Sequence, residues 1–336
     1  MTGHTTHAVV QDDRNSSILI GMRDGVTGDF ALVPREKAVV SVFDSAFLLG
    51  DGCWEGIRIK QGVMQFAKEH LDRLFETSKA LFMNLHLNKP ELLSLIHRTV
   101  DANSMQTSDD VHIRLVVSRG LKETPHQNPK STIGAPLIVI IPEYKKPDPS
   151  IGLRGITLMT VHVRRGCADT KDEMWNHLSK ATDIQACIQA NIMGADEALM
   201  LDKDGFVKTC NSTNFFIVRN GVVWAPTRKY QMQGITRAKT IELCRMHGIP
   251  IEECDFTLTE VYGADEAFVT GTFPSQLAVI SVDGRTIGDG KPGPMVARLQ
   301  KVYKELVAAD VGRGREAVMA EVQGAKKVIF PANGCA

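Results

Sequence analysis

Nine residues, Tyr144-Lys145-Lys146-Pro147-Asp148-Pro149-Ser150-Ile151-Gly152, set the strongest limit on what this chain can fold into. Two prolines and a glycine interrupt any helix or ladder, and three charges keep the stretch in water, so 144–152 reads as a linker. A pattern of short strands and helices precedes it and starts afresh behind it. With 336 residues there is enough chain for a buried core on either side. The expected organisation is an N-terminal tail at 1–16, a small α/β domain at 17–143, the linker at 144–152, a larger domain at 153–310 and a C-terminal tail at 311–336.

In the first half, the apolar runs Ile18-Leu19-Ile20, Ala31-Leu32-Val33, 39–42 and Ile57-Arg58-Ile59 are separated by the turn pairs Asp24-Gly25 and Gln61-Gly62. Such spacing predicts strands joined by turns. A helix is expected over 68–83, with Leu71, Leu74, Phe75 and Phe82 on one side and Arg73 off that stripe. Asn88 and Glu91 can close a capping box around Pro90, opening a helix that runs to about 100. Strands follow at 111–118 and 136–142, with an exposed loop at 119–133 between them.

In the second half a strand at 155–163 and a polar loop lead into Asn176-His177-Leu178-Ser179-Lys180-Ala181-Thr182. The helix after it carries Ile184, Cys187, Ile188 and Ile192 on one face and stops at Gly194. Hairpins turn at Asp204-Gly205 and Asn220-Gly221. Gly234-Ile235-Thr236 opens a helix with Ala238, Ile241 and Cys244 inward; a strand at 267–270 enters Gly271-Thr272, and another at 277–282 turns at Asp283-Gly284. A last helix covers about 294–308, the sequence beyond Gly312 is weakly patterned, and there is no internal repeat.

Composition narrows the function classes. Lysine plus arginine equals aspartate plus glutamate at 39 each, so no basic surplus points to nucleic acid. The seven cysteines lack metal-type spacing and read as reduced thiols of a cytoplasmic protein. No His-Glu-x-x-His or Cys-x-x-Cys motif marks a metal site, the N-terminus lacks the apolar region of a signal peptide, and no run is long enough to span a membrane.

Lys180 stands at the mouth of a helix among small polar residues, a setting that suits a Schiff base to a carbonyl cofactor once the amine is partly desolvated. Spacing alone does not separate it from a solvated surface lysine. Gly234-Ile235-Thr236 offers backbone N–H groups and a hydroxyl at a helix N-terminus, where the dipole favours an anion. Gly271-Thr272 offers the same groups at a strand end, and Arg73 can form a bidentate pair with phosphate. Each of these also reads as a cap, a turn or a surface charge.

Taken in order, the blocks Ser41-Val42-Phe43-Asp44, Gly50-Asp51-Gly52, Glu55-Gly56-Ile57-Arg58, His70-Leu71-Asp72-Arg73-Leu74, Leu178-Ser179-Lys180, Asn214-Phe215-Phe216, Gly234-Ile235-Thr236-Arg237, Thr270-Gly271-Thr272 and Ser281-Val282-Asp283-Gly284 resemble the class IV pyridoxal-phosphate aminotransferases. That family includes branched-chain and D-amino-acid aminotransferases and aminodeoxychorismate lyase. The resemblance covers roughly 17–308. It implies the fold type IV architecture: an α+β, two-domain enzyme with a small α/β domain and a larger pseudo-barrel β domain with helices. The cofactor, pyridoxal 5′-phosphate, then lies between the domains of a homodimer. By resemblance Lys180 carries the cofactor, Arg73 grips its phosphate, and Ile235, Thr236 and Thr272 supply the other phosphate donors.

Two positions depart from the family. Thr209 stands where the family has a glutamate that keeps the pyridine nitrogen protonated, and Gln185 stands where branched-chain enzymes have a tyrosine beside the phenolic oxygen. A threonine hydroxyl can hydrogen-bond the nitrogen but adds no charge, so a weaker electron sink is expected. Among candidate substrate residues, Trp54, Arg58, His112 and Arg114 resemble the branched-chain enzymes, with Arg114 matching an arginine that holds substrate carboxylate. His126, in Arg119-Gly120 to Pro129, looks more like the D-amino-acid enzymes, although Thr124 replaces their arginine. The expected activity is transfer of an amino group from an amino acid or related amine to a 2-oxo acid such as 2-oxoglutarate. A lyase on the same fold and a weakly catalytic cofactor-binding protein are the alternatives.

Overall fold

The computed structural model describes residues 6–324; the outermost parts of the two expected tails, 1–5 and 325–336, lie outside the described residues. Its contacts divide the chain into two compact units. One, here the sheet unit, gathers Gln11–Lys146, Trp175–Lys180 and Ala308–Ala336; the other, the barrel unit, gathers Met1–Val10, Pro147–Met174 and Ala181–Val307. The stretch expected as a linker is ordered where it enters the barrel unit. Asp148 accepts a hydrogen bond from the Ser150 N–H (2.9 Å) and caps a short helix, Pro149–Arg154, with Pro149 in its first turn and Ile151 buried.

The sheet unit is built on β1 (Leu19–Arg23), β2 (Phe30–Pro34), β3 (Gly52–Lys60), β4 (Val63–Met64), β5 (Val111–Ser118) and β6 (Leu137–Tyr144). They form an antiparallel sheet in the order β2-β1-β6-β5-β3-β4. Helices α1 (Ala67–Ala80) and α2 (Lys89–Ala102) supply the other half of its core. Successive strand residues point to opposite faces. Cys53, Glu55, Ile57 and Ile59 of β3 are therefore buried, with Ile113, Leu115 and Val117 of β5, Leu71 and Leu74 of α1, and Leu92, Leu93 and Ile96 of α2 in the same core. The capping box at α2 forms as its sequence predicts: Glu91 N–H donates to Asn88 Oδ1 (2.9 Å) and Asn88 N–H to Glu91 Oε2 (2.6 Å). The run at 39–42 is not a strand. Val39, Val40 and Val42 are exposed ahead of a short helix, Ser45–Leu49, that Asp44 caps.

The barrel unit contains β7 (Ile156–Thr160), β8 (Glu197–Leu201), β9 (Val207–Cys210), β10 (Asn214–Arg219), β11 (Val222–Pro226), β12 (Ile251–Cys254), β13 (Glu266–Gly271) and β14 (Ser275–Val282). The order is β9-β8-β7-β14-β13-β10-β11-β12, and β9 also pairs with β10, so six of the strands close on themselves. Phe215, Ile217, Val269, Leu277 and Val279 fill one face. The other packs Phe216 on Phe268 (centroids 4.8 Å apart), against helices α4 (Ile235–Met246) and α5 (Pro294–Gly312). On α3 (Ala181–Ile192) the apolar stripe read from the sequence faces outward: Ile184, Ile188 and Ile192 are 56%, 51% and 76% exposed. Only Ala186 and Ala190 are buried, because their small side chains let the helix lie close on Ala198 and Met200 of β8. Ala238 of α4 is likewise exposed, and Thr240 takes an inward position.

The weakly patterned end beyond Gly312 contains a further helix, α6 (Gly314–Gly324), which belongs to the sheet unit. Val318 and Val322, one turn apart, complete the core against α1 and α2. Arg315 fastens it by donating to Gly62 O (2.7 Å) and pairing with Asp101 (2.7 Å). Among the described residues no helix is long and apolar enough to cross a membrane, and no group of three or more His, Cys, Asp or Glu side chains is arranged to hold a metal ion.

Candidate active site

In the sheet unit the lysine-bearing segment is held by backbone pairing. Along its N-terminal half β3 has one edge free of β5, and 176–178 fill it. Trp54 N–H donates to Asn176 O (2.9 Å), Leu178 N–H to Gly52 O (2.9 Å), and Cys53 and His177 form an antiparallel bridge. The pairing satisfies strand groups that would otherwise be left open and fixes where the chain presents Lys180. Lys180 Nζ lies 5.4 Å from the centroid of the Trp54 ring, within cation–π range. Arg114 Cζ lies 3.8 Å from the same centroid.

Register explains how these groups meet. Trp54, Gly56 and Arg58 share the face of β3 turned away from the helical core, and Gly56 pairs with Arg114 while Arg58 pairs with His112. Gly56 leaves room for its neighbours: a Cβ there would lie 3.3 Å from His112 Nε2 and 3.4 Å from Trp54 Cζ3. Four of the expected substrate residues, Trp54, Arg58, His112 and Arg114, thus occupy one sheet face. Arg58 has a second role on it, donating to Lys145 O (3.0 Å) and pairing with Asp110 (3.2 Å). His126 stands apart from that face, in an exposed loop where its Nδ1 accepts from the Asn128 N–H (3.1 Å).

Behind the same strand is an arrangement that sequence reasoning missed. Arg73 donates Nε to Glu55 Oε1 (2.8 Å) and Nη2 to Glu55 Oε2 (2.7 Å), a bidentate pair, and His70 Nδ1 lies 2.7 Å from Oε2. Burial raises the Glu55 carboxyl, but the Arg73 charge and the bonds from Arg73 and His70 outweigh it and hold the group down at about 2. One edge of the arginine expected to grip phosphate is therefore committed to a buried carboxylate. The signal in the sequence was a glutamate at an inward position of a strand between Cys53 and Ile57.

In the barrel unit α4 begins at Gly234 with no side-chain cap, so the first-turn N–H groups, those of Ile235 and Thr236 among them, form an uncapped positive end. Thr236 is buried and Thr272, in the turn between β13 and β14, is half-buried. Next to that turn the Thr270 hydroxyl is buried without a hydrogen-bond partner among the described residues.

β9, with the turn that follows it, holds the position that departs from the resembled pattern. Thr209 is buried, and its hydroxyl donates to Thr213 O, which leaves its oxygen as an acceptor only. Beneath the turn the buried Glu197 carboxylate accepts from Ser212 N–H (2.8 Å), Ser212 Oγ (2.6 Å) and Thr213 Oγ1 (3.0 Å). Burial pushes its pKa up against those bonds. Arg165, also buried, donates to Cys210 O and pairs with Asp183 (2.8 Å) in the first turn of α3. Gln185 lies on the exposed side of α3. Neither Glu197 nor Arg165 belongs to a block that marked the family.

Residues 52–282 match the family described as amino-transferase class IV. Branched-chain-amino-acid aminotransferase-like protein 2 of Arabidopsis thaliana is 40% identical over 275 residues, 82% of this chain and 49% of that protein. The putative branched-chain-amino-acid aminotransferase of Methanocaldococcus jannaschii is 38% identical over 279 residues, 82% of this chain and 93% of the other. Among solved structures, the T.th. branched-chain amino acid aminotransferase with pyridoxamine 5′-phosphate superposes with a TM-score of 0.77 at 29% identity, covering 90% of this chain and 96% of that one. This chain spans about half the length of the Arabidopsis relative, and nearly the whole of the other two. With the family pattern running from β3 to the end of β14, the chain belongs to the class IV aminotransferases.

Proposed function

We propose that this protein is a pyridoxal-phosphate-dependent transaminase that moves an amino group from an amino acid or related amine to a 2-oxo acid such as 2-oxoglutarate. Family membership supports the reaction class. The observation that carries the reading is the meeting of the Lys180 amine and the Arg114 guanidinium on one Trp54 ring. The residues fit the cofactor: the uncapped start of α4 and the unpaired Thr270 hydroxyl suit a phosphate ester, and the half-buried Lys180 amine suits an aldehyde. When bound, the cofactor supplies the electron sink for a substrate carbon that has lost its proton.

The chain's own residues divide the remaining work. Lys180 holds the cofactor and, once displaced by the donor amine, moves a proton at the substrate's α-carbon. Arg114 binds the substrate carboxylate, with His112 beside it, and the Trp54 ring packs against both the arginine and the lysine. In the sheet unit Arg73, aimed by Glu55, is assigned to phosphate. In the barrel unit the N–H groups of Ile235 and Thr236 and the hydroxyls of Thr236 and Thr272 are assigned to phosphate. Thr209 would stand at the ring nitrogen and Gln185 on the phenolic side, neither adding a charge there. Arg58 braces the strand edge next to Arg114 rather than touching substrate.

We also propose a homodimer in the cytoplasm. Apolar side chains left in water support the dimer: Ile184, Ile188 and Ile192 in the barrel unit, and Val39, Val42 and Phe47 in the sheet unit. The six described cysteines are free, which suits a reducing compartment. Borohydride reduction of the cofactor-loaded protein followed by peptide mapping tests the lysine, with an adduct on Lys180 expected and an adduct on another lysine overturning the assignment. A screen of donors, branched-chain amino acids first, tests the reaction. Conversion of the cofactor to its amine is expected; product release without that conversion would mark a lyase, and neither would mark a binding protein.

A further inference from the structure

Asn214, the first residue of β10, has no part in the chemistry proposed above, yet its side chain is buried and tightly engaged. It stands in a row. Thr209 of β9 pairs with Asn214, Asn214 with Thr270 of β13, and Thr270 with Gln276 of β14. Directly opposed residues of antiparallel strands point to the same face. Four polar side chains, each more than nine-tenths buried, therefore lie side by side across four strands. Along these strands the face continues into Phe216, Phe268 and Ala278, which pack with Ile241 and Cys244 of α4. The Thr270 hydroxyl and Gln276 Oε1 have no hydrogen-bond partner among the described residues. Burying unpaired polar atoms is unfavourable unless something else bonds to them.

Asn214 ties this row to the start of α4. Its Nδ2 donates to Gln231 Oε1 (3.1 Å) and to Met232 O (2.8 Å). Gln231 in turn donates from Nε2 to Pro226 O (3.0 Å) and Thr227 O (2.6 Å), so the loop leading into the helix is gathered around two amides. Asn214 Oδ1 occupies the space a side chain at 234 would need: a Cβ on Gly234 would lie 2.2 Å from it. Gly234 has φ −63° and ψ 138°, a conformation open to any residue, so glycine is required there for space alone. The carboxamide thus presses on the residue from which the helix starts and holds the two residues before it but one.

We infer that Asn214 is the positioning residue of the phosphate site, fixing where the uncapped N–H groups of Ile235 and Thr236 point. The inference rests on the reading that α4 receives the cofactor phosphate. Titration of the apoprotein with pyridoxal 5′-phosphate and with pyridoxal, which lacks the phosphate, tests it through the ratio of the two dissociation constants. Asn214→Ala should weaken binding of the phosphorylated form about tenfold or more while binding of pyridoxal stays within about twofold, a loss expected for displaced hydrogen bonds to a charged group. Gly234→Ala should lower the same ratio in the parent protein and add little in the Asn214→Ala background, where the obstructing oxygen is gone. If Asn214→Ala does not accumulate as folded protein, Gly234→Ala alone reads the ratio. An equal loss for both forms in Asn214→Ala, or in Gly234→Ala where it alone is read, would mean a general structural role and overturn the inference, as would a Gly234→Ala effect of the same size in both backgrounds. A parent protein that binds pyridoxal as tightly as its phosphate ester would overturn the assignment of α4 to phosphate, and the inference with it.

Discussion

Replacing Glu55 by glutamine keeps the shape of the side chain and removes the negative charge that Arg73 and His70 share inside the sheet unit. The Glu55 carboxyl sits at about 2 in the folded protein against 4.5 for a free group. A depressed carboxylate contributes stability that is fully present above the unfolded pKa and is lost as pH falls through the folded one. The shift of two to three units corresponds to about 3 kcal/mol at neutral pH, of which about 2 kcal/mol is gone by pH 3. Glutamine cannot supply it and meets the Arg73 guanidinium and His70 only as a neutral amide, so the variant should be less stable by about 3–5 kcal/mol at pH 6. The parent loses the carboxylate's share on acidification and the variant does not, so the gap should narrow by about 2 kcal/mol between pH 6 and pH 3. Using the difference between the two proteins cancels the titration of all other carboxylates. Hydrogen exchange at peptides covering β3 and α1 reports the sheet unit by itself. A gap of constant size across that pH range would refute the reasoning.

Arg73→Ala should strip the cofactor on dialysis and destabilise the sheet unit by leaving the buried Glu55 carboxylate with His70 but without its arginine, whereas Arg114→Ala, on the other face of the sheet, should leave retention unchanged and raise KM for carboxylated donors. Loss of cofactor from Arg114→Ala with unchanged KM would show the two roles to be exchanged. Thr209→Glu should raise the proton affinity of the cofactor's ring nitrogen, read by nitrogen NMR on labelled cofactor, while giving up the bond to Thr213 O at a cost of about 1 kcal/mol. An unchanged nitrogen signal would remove Thr209 from the ring's surroundings.

Local order was the most legible part of the sequence. β5 begins and ends at 111 and 118, where its apolar run does, and the cap of α2 forms from the residues that spelled it. What failed was any statement about which partner covers a face. The Ile184, Ile188 and Ile192 stripe is real as a pattern, but Ala186 and Ala190 face the sheet because close packing rewards small side chains. α6 escaped notice because only two of its side chains, Val318 and Val322, are fully buried in the core, with Met319 partly buried against it. The pair between Glu55 and Arg73 crosses 18 positions from a strand to a helix, and nothing in either local pattern announces it. Lys180 was legible as a residue in a motif, but its meeting with Trp54 and Arg114 depends on a backbone pairing between 176–178 and β3 that no periodicity encodes.

The two units solve the same physical problem in related ways. A strand presents alternate residues to opposite faces, so one strand can serve a core and a site at once. In β3 the inward set is Cys53, Glu55, Ile57 and Ile59, and the outward set is Trp54, Gly56 and Arg58. Glu55 is the exception that joins them: it lies in the core layer, where a bare carboxylate would be costly, and is kept there by the arginine it aims. In the barrel unit the polar row from Thr209 to Gln276 interrupts an apolar face in the same manner, and Asn214 is the member that spends its hydrogen bonds on the start of α4. In both units a buried polar side chain interrupts an apolar layer, and in both it fixes the direction of a group proposed to hold phosphate. Precision at the phosphate matters because every atom of the reacting ring is placed by where that end is anchored, and small displacements at such an anchor are felt at the reacting carbon.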